Sequence, residues 1–207
     1  MRKIGRTPLI IGVIGLLLII GGASIAYGSG LFRSNDTTTS NGTIIDSDKP
    51  SADFTLTSAD GPVRLSDFAG KTVAIYFGYT YCPDVCPTAL ASLAQARKNL
   101  GDEADNLQVI MVSVDPERDT PDRLKTYVTT FDPSFIGVTG TPEEIQAVAT
   151  AYGVYYEKQP VEGAAGYLVD HTAAILVLDG DRYLKRMLPY NLTGQQLAQE
   201  LRAVEDS

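Results

Sequence analysis

Val73-Ala74-Ile75-Tyr76-Phe77 runs through Gly78-Tyr79-Thr80-Tyr81 into Cys82-Pro83-Asp84-Val85-Cys86-Pro87. Five uncharged apolar and aromatic residues in a row suit a central strand buried on both faces. Pro87 lacks an N–H and belongs in a first helical turn, so a helix is expected from about Pro87 to Leu100 with Cys86 at its N-terminus. The positive end of a helix dipole lowers a thiol's pKa and favours thiolate. A buried strand that delivers two cysteines to a helix start is the opening of an α/β unit. These are the only cysteines in the 207-residue chain, and His171 is the only histidine.

The flanking sequence continues the alternation of strands and helices. Phe54 and Leu56 alternate, Asp60-Gly61 reads as a hairpin turn, and Val63 and Leu65 alternate again. Further strands are expected at Val109–Val114, Phe135–Val138, Val154–Tyr156, Thr172–Leu178 and Tyr183–Leu188, the last two joined by Asp179-Gly180-Asp181. Three helix starts carry cap chemistry: Thr120-Pro121, Thr141-Pro142-Glu143-Glu144 and Thr193-Gly194-Gln195-Gln196. The pattern describes a mixed α/β sheet covered by helices on both faces. Met111 and Met187 fall inside strands and read as packing residues rather than ligands.

The start of the chain is different. No charge falls between Arg6 and Arg33, and residues 9–27 are almost entirely Leu, Ile, Gly, Ala and Val. That length matches the roughly 20 residues of a membrane-spanning helix. Arg2, Lys3 and Arg6 precede it, so residues 1–8 are expected in the cytoplasm and the body of the protein on the far, periplasmic or extracytoplasmic, side. A cleaved signal peptide ending near Ser24-Ile25-Ala26 gives the same sidedness. Residues 28–50 read as a flexible linker, most plainly the polar stretch Ser34–Pro50, which would reach roughly 20–25 Å. Residues 51–207 are then one domain. Without the three leading cations, 14 of the 17 basic residues face 25 acidic ones, a charge near −11. That balance argues against nucleic acid and against docking on anionic lipid as partners of the domain.

Outside the cytoplasm two cysteines usually form a structural disulfide, but a pair four apart closes too small a loop to stabilise the fold much. One helical turn puts their Cα atoms about 6 Å apart, which permits either a disulfide or a shared metal ion. His171 precedes a strand. If that strand runs antiparallel to Val73–Phe77, its start lies at the sheet edge that carries the cysteines. A lone histidine is commonly a packing residue, and Asp170 beside it is a candidate to orient its ring. Two thiolates and an imidazole suit three-coordinate Cu(I), and a fourth oxygen ligand would complete Cu(II). A closed zinc site lacks its fourth strong ligand, although an open one is compatible. A peroxidase of the peroxiredoxin type would need Thr or Ser three residues before the reactive cysteine, where Tyr79 and Pro83 stand instead.

At these residues the sequence resembles the Sco/SenC family of thioredoxin-like, membrane-anchored proteins. The matching pieces are Tyr76-Phe77-Gly78-Tyr79-Thr80 leading into Cys82-Pro83-Asp84-Val85-Cys86-Pro87-Thr88, and Ser113-Val114-Asp115-Pro116-Glu117-Arg118-Asp119-Thr120-Pro121. Phe131-Asp132, Gly140-Thr141, Ala151-Tyr152-Gly153-Val154 and Val169-Asp170-His171 follow in family order. The resemblance implies a thioredoxin-like mixed sheet flanked by helices, with copper bound by Cys82, Cys86 and His171. It further implies a copper metallochaperone, more a carrier than an enzyme, that serves the CuA centre of cytochrome c oxidase subunit II. A copper donor or thiol reductant is the other implied partner. The competing reading is a thiol–disulfide oxidoreductase that keeps the CuA-site cysteines reduced with the pair Cys82 and Cys86. The Cys-x-x-x-Cys spacing, and His171 where thioredoxins carry a cis-proline, favour the metal. The Asp115 loop is expected beside the site, where it either touches the partner or, more simply, caps the helix that follows.

Overall fold

Thr72–Gly78 is buried at all seven positions, as a strand with neighbours on both sides and layers on both faces must be. The computed structural model describes residues 40–161 and 166–205. In chain order these form β1 (Thr43–Ile44), β2 (Thr55–Ser58), β3 (Gly61–Arg64), β4 (Thr72–Gly78), α1 (Val85–Leu100), β5 (Leu107–Ser113), α2 (Pro121–Thr129), β6 (Ile136–Val138) and α3 (Pro142–Ala151). There follow β7 (Tyr156–Pro160), β8 (Tyr167–His171), β9 (Ala174–Leu178), β10 (Leu184–Pro189) and α4 (Gly194–Glu205).

The main sheet has six strands in the order β1-β10-β9-β4-β5-β6. β4, β5 and β6 are parallel, joined through α1 and α2, whereas β9 runs antiparallel to β4 with Tyr76 opposite Ile175. The C-terminal ends of β4 and β5 therefore share one sheet edge with the start of β9. This is the thioredoxin-like mixed sheet with helices that the resemblance implies. α1 packs against α4. The three helix starts carry the expected caps: Arg123 N–H donates to the Thr120 hydroxyl, and Thr141 with Glu144 and Thr193 with Gln196 each exchange two bonds.

Two differences from the sequence reading bear on function. The expected strand Val154–Tyr156 is instead Tyr156–Pro160, and it pairs with Tyr167–His171, an unforeseen strand, to make a ribbon apart from the main sheet. Glu157-Lys158-Gln159-Pro160 carries no apolar alternation to announce it. The second difference lies in the linker expected over residues 28–50, whose later part is docked. Thr43 and Ile44 pair with Met187 and Arg186 at the open side of β10. The buried Glu200 carboxylate accepts from Ser40 Oγ (3.0 Å) and from both nitrogens of Asn41, while pairing with Arg186 at 3.3 Å. Only glycine fits at Gly42, because a Cβ there would stand 2.6 Å from the Met187 backbone carbonyl oxygen as well as 2.4 Å from Leu188 Cδ2. The antiparallel register leaves Ser40 level with the end of β10, at the edge where β4 also ends.

Residues 1–8, the expected span 9–27 and the linker as far as residue 39 lie outside the described residues. No helix among the described residues is long and apolar enough to cross a membrane.

Candidate metal centre

The loop after β4 is shaped by buried polar bonds. Asp119, fully buried, accepts from the Thr80 amide (3.0 Å), the Thr80 hydroxyl (2.6 Å) and the Ser113 hydroxyl (2.7 Å). This staple joins the ends of the parallel strands β4 and β5 beneath the cysteines. Burial raises the Asp119 pKa against the pull of these bonds. The expectation that the acidic loop serves as a helix cap is corrected here: Thr120 caps α2, and Asp119 turns inward.

Helix α1 begins at Val85, two residues earlier than expected, and Pro87 still sits in its first turn. Asp84, at the cap position, makes no side-chain cap bond. The Cys82 sulfur does so instead, accepting the Cys86 amide at 3.4 Å. A helix N-terminus is thus already aimed at one of the two sulfurs.

His171 closes the group. Its Nε2 lies 3.4 Å from Cys86 Sγ, and one ligand atom from each of Cys82, Cys86 and His171 falls within 4.8 Å of the others. Among the described residues no further His, Cys, Asp or Glu joins this cluster. The condition set by the sequence is met, since β9 is antiparallel to β4 and brings the segment before it to the cysteine edge. The expected role of Asp170 is corrected. Successive residues of a strand point to opposite faces, so Asp170 is exposed, and His171 Nδ1 lies 3.3 Å from the Thr172 carbonyl. A proton on Nδ1 donated to that carbonyl leaves the Nε2 lone pair facing the sulfurs. The ring stands edge-on to Tyr76 and Tyr79, with centroids 6.0 and 5.9 Å away. Sequence reading placed both tyrosines only on or beside the strand; their pattern gave no sign that they flank an imidazole.

The two thiols differ sharply. The Cys86 hydrogen bond, above all, lowers the Cys82 pKa to about 4, despite partial burial. Cys86 is wholly buried, and burial drives its pKa up, with the neighbouring Cys82 adding to the effect. Tyr76, whose hydroxyl is 3.8 Å from Cys86 Sγ, is likewise pushed up by burial and remains a donor. Deprotonation is thus favoured at Cys82 and opposed at Cys86. Met111 is buried in β5 and Met187 half-buried in β10, both packed with the core as expected. Tyr79, three residues before Cys82, turns its hydroxyl to the Val169 amide at 3.1 Å.

A thioredoxin-like sheet with a Cys-x-x-x-Cys pair and an imidazole converging at one edge defines a protein that handles soft metal or thiols. The chain belongs to the SCO1/SenC family, whose family model matches residues 43–205. It is 42% identical over 132 residues to the mitochondrial SCO2 homolog of Bos taurus, covering 62% of this chain and 50% of that protein. The chain spans about half the length of the mitochondrial relatives it matches. Among solved structures it resembles apo Sco1 from Thermus thermophilus, with 42% identity, TM-score 0.72, and 80% of this chain and 96% of that one covered. It also resembles Bradyrhizobium japonicum ScoI, a structure with copper bound, with 39% identity, TM-score 0.69, and coverage of 75% and 99%.

Proposed function

We propose that this protein is a copper metallochaperone in which Cys82, Cys86 and His171 hold Cu(I) and pass it to the CuA site of cytochrome c oxidase subunit II. The observation that carries this reading is the meeting of two sulfurs and an imidazole within 4.8 Å, although His171 follows Cys86 by 85 positions. Two thiolates and one imidazole match the softness and low coordination number of Cu(I). The copper-bound relative supports the choice of metal. Transfer is by ligand exchange: an incoming thiolate replaces one of the three donors at a time, with no substrate turned over. In this reading residues 1–8 stay in the cytoplasm and 9–27 anchor the chain in the cytoplasmic membrane by a single pass. The linker begins at residue 28, and the acidic domain works on the periplasmic or extracytoplasmic side.

A second reading, a thiol–disulfide oxidoreductase for the CuA-site cysteines, is favoured by the low pKa of Cys82 beside a free Cys86. The Cys82 thiolate would attack a partner disulfide and release one thiolate. Cys86 would then displace the second, leaving a Cys82–Cys86 disulfide for an external thiol reductant. Titration of the reduced full-length chain separates the two. One Cu(I) per chain is expected, with affinity weakened in each of Cys82→Ala, Cys86→Ala and His171→Ala. Unchanged affinity in His171→Ala, together with brisk disulfide reduction, hands the function to the second reading.

A further inference from the structure

The β7–β8 ribbon that carries His171 is a two-stranded hairpin, an element marginally stable by itself. It shares no backbone ladder with the six-stranded sheet and runs into it only past His171, two residues before β9, so side chains must hold the rest of the ribbon against the cysteine loop. Tyr167, Val169 and His171 alternate along β8 and share one face. The first two are gripped. Val169 N–H donates to Tyr79 Oη. Tyr167 Oη donates to the fully buried Asp115 at 2.7 Å, and its carbonyl accepts from Arg118 Nη1 at 3.0 Å. Arg118 Nε is paired with Asp115 in turn. The guanidinium lies 3.6 Å from the centre of the Tyr167 ring and 4.6 Å from that of Tyr81, the residue before Cys82. On the outer side Lys158 of β7 pairs with Glu117 at 2.6 Å.

We propose that Arg118, held by Asp115, is a positioning residue for His171: wedged between Tyr81 on the cysteine loop and Tyr167 on β8, it sets how far the imidazole stands from the sulfurs. The inference rests on the copper-site reading above. Guanidinium chemistry suits the task, since one planar group stacks on the rings with its face while its edge donates to a carboxylate and a carbonyl. Lysine keeps the charge but cannot do both.

The test is a double-mutant cycle on the full-length chain, reading Cu(I) affinity by competition and the Cu(II) site by electron paramagnetic resonance. Arg118→Ala should weaken Cu(I) by about tenfold or more, the range typical of residues that orient metal ligands. Its Cu(II) spectrum should shift toward that of His171→Ala, a change of shape that partial unfolding does not produce. In the His171→Ala background the same substitution should alter affinity by no more than about twofold, because its route to the metal is gone. Arg118→Lys should fall between wild type and Arg118→Ala. If Arg118→Ala does not fold, Arg118→Lys and Tyr167→Phe complete the cycle. An equal loss in both backgrounds overturns the inference, as does no loss in either, while a weakened His171→Ala leaves the copper reading intact. No Cu(I) uptake by the wild type overturns both.

Discussion

Cys86 is wholly buried at the base of α1, beside a strand with every position buried, whereas His171 is half-buried on a ribbon outside the main sheet. The cysteine side is set by β4, by α1 and by the Asp119 staple, and displacing it would disturb the core. The histidine side depends on a few polar and aromatic contacts, the kind of element drawn from the low-stability end of a fold. The carrier role proposed above would require the protein to hold its ion and then release it. Placing two strong donors on rigid scaffold and the third on an outlying element provides a part that can let go without unfolding the rest.

The largest effect should be in binding. Loss of either cysteine should lower Cu(I) affinity by more than about 100-fold, beyond the range that supporting residues command, and loss of His171 by less. Equal losses at all three positions would erase the distinction between the two sides. Next comes acidity. Cys86, with its pKa raised, carries its proton across the neutral range and must shed it to bind metal, so apparent affinity should rise with pH. One proton per ion gives about tenfold per unit between pH 6 and 8 in competition titrations, and a flat profile would argue against two thiolate ligands. The smallest contrast is in stability. A Cβ at Gly78 would lie 2.8 Å from the Tyr76 ring and 2.9 Å from Cys86 Sγ, so Gly78→Ala should cost about 1–3 kcal/mol in denaturant melts. Gly166, in the left-handed region at φ +68° before β8, meets nothing within 4 Å. Gly166→Ala should cost about 1–2 kcal/mol through backbone strain alone and act on the ribbon rather than on the cysteine side.

What the sequence made legible follows the same division. The apolar run of β4, the proline at the head of α1 and the cap residues are local signals, and each element stands within a few residues of its expected place. The three candidate ligands could be named because the chain has only two cysteines and one histidine, and for His171 the family resemblance added what the residues alone left open. The ribbon was not legible, because a strand exposed on both faces, written Glu157-Lys158-Gln159-Pro160, has no hydrophobic period to reveal it. Asp170 misled because adjacency in sequence is opposition across a strand. The docking of residues 40–44 was hidden for a similar reason. It is polar, made by Glu200 on α4, and nothing in Ser40-Asn41-Gly42-Thr43 marks a partner 160 residues on.

The two ends of the described domain lie at opposite rims of the sheet. Ser40 is three strands from β4 at the ligand-bearing rim, roughly 14 Å sideways by strand spacing. Glu205 closes α4 beside Gly70 and Asp181, at the other rim, about a strand's length or roughly 20 Å away. A dye, bead or surface linkage attached near Glu205 would leave the metal face open to solution. The same attachment near Ser40 would sit at the rim that carries Cys82, Cys86 and His171.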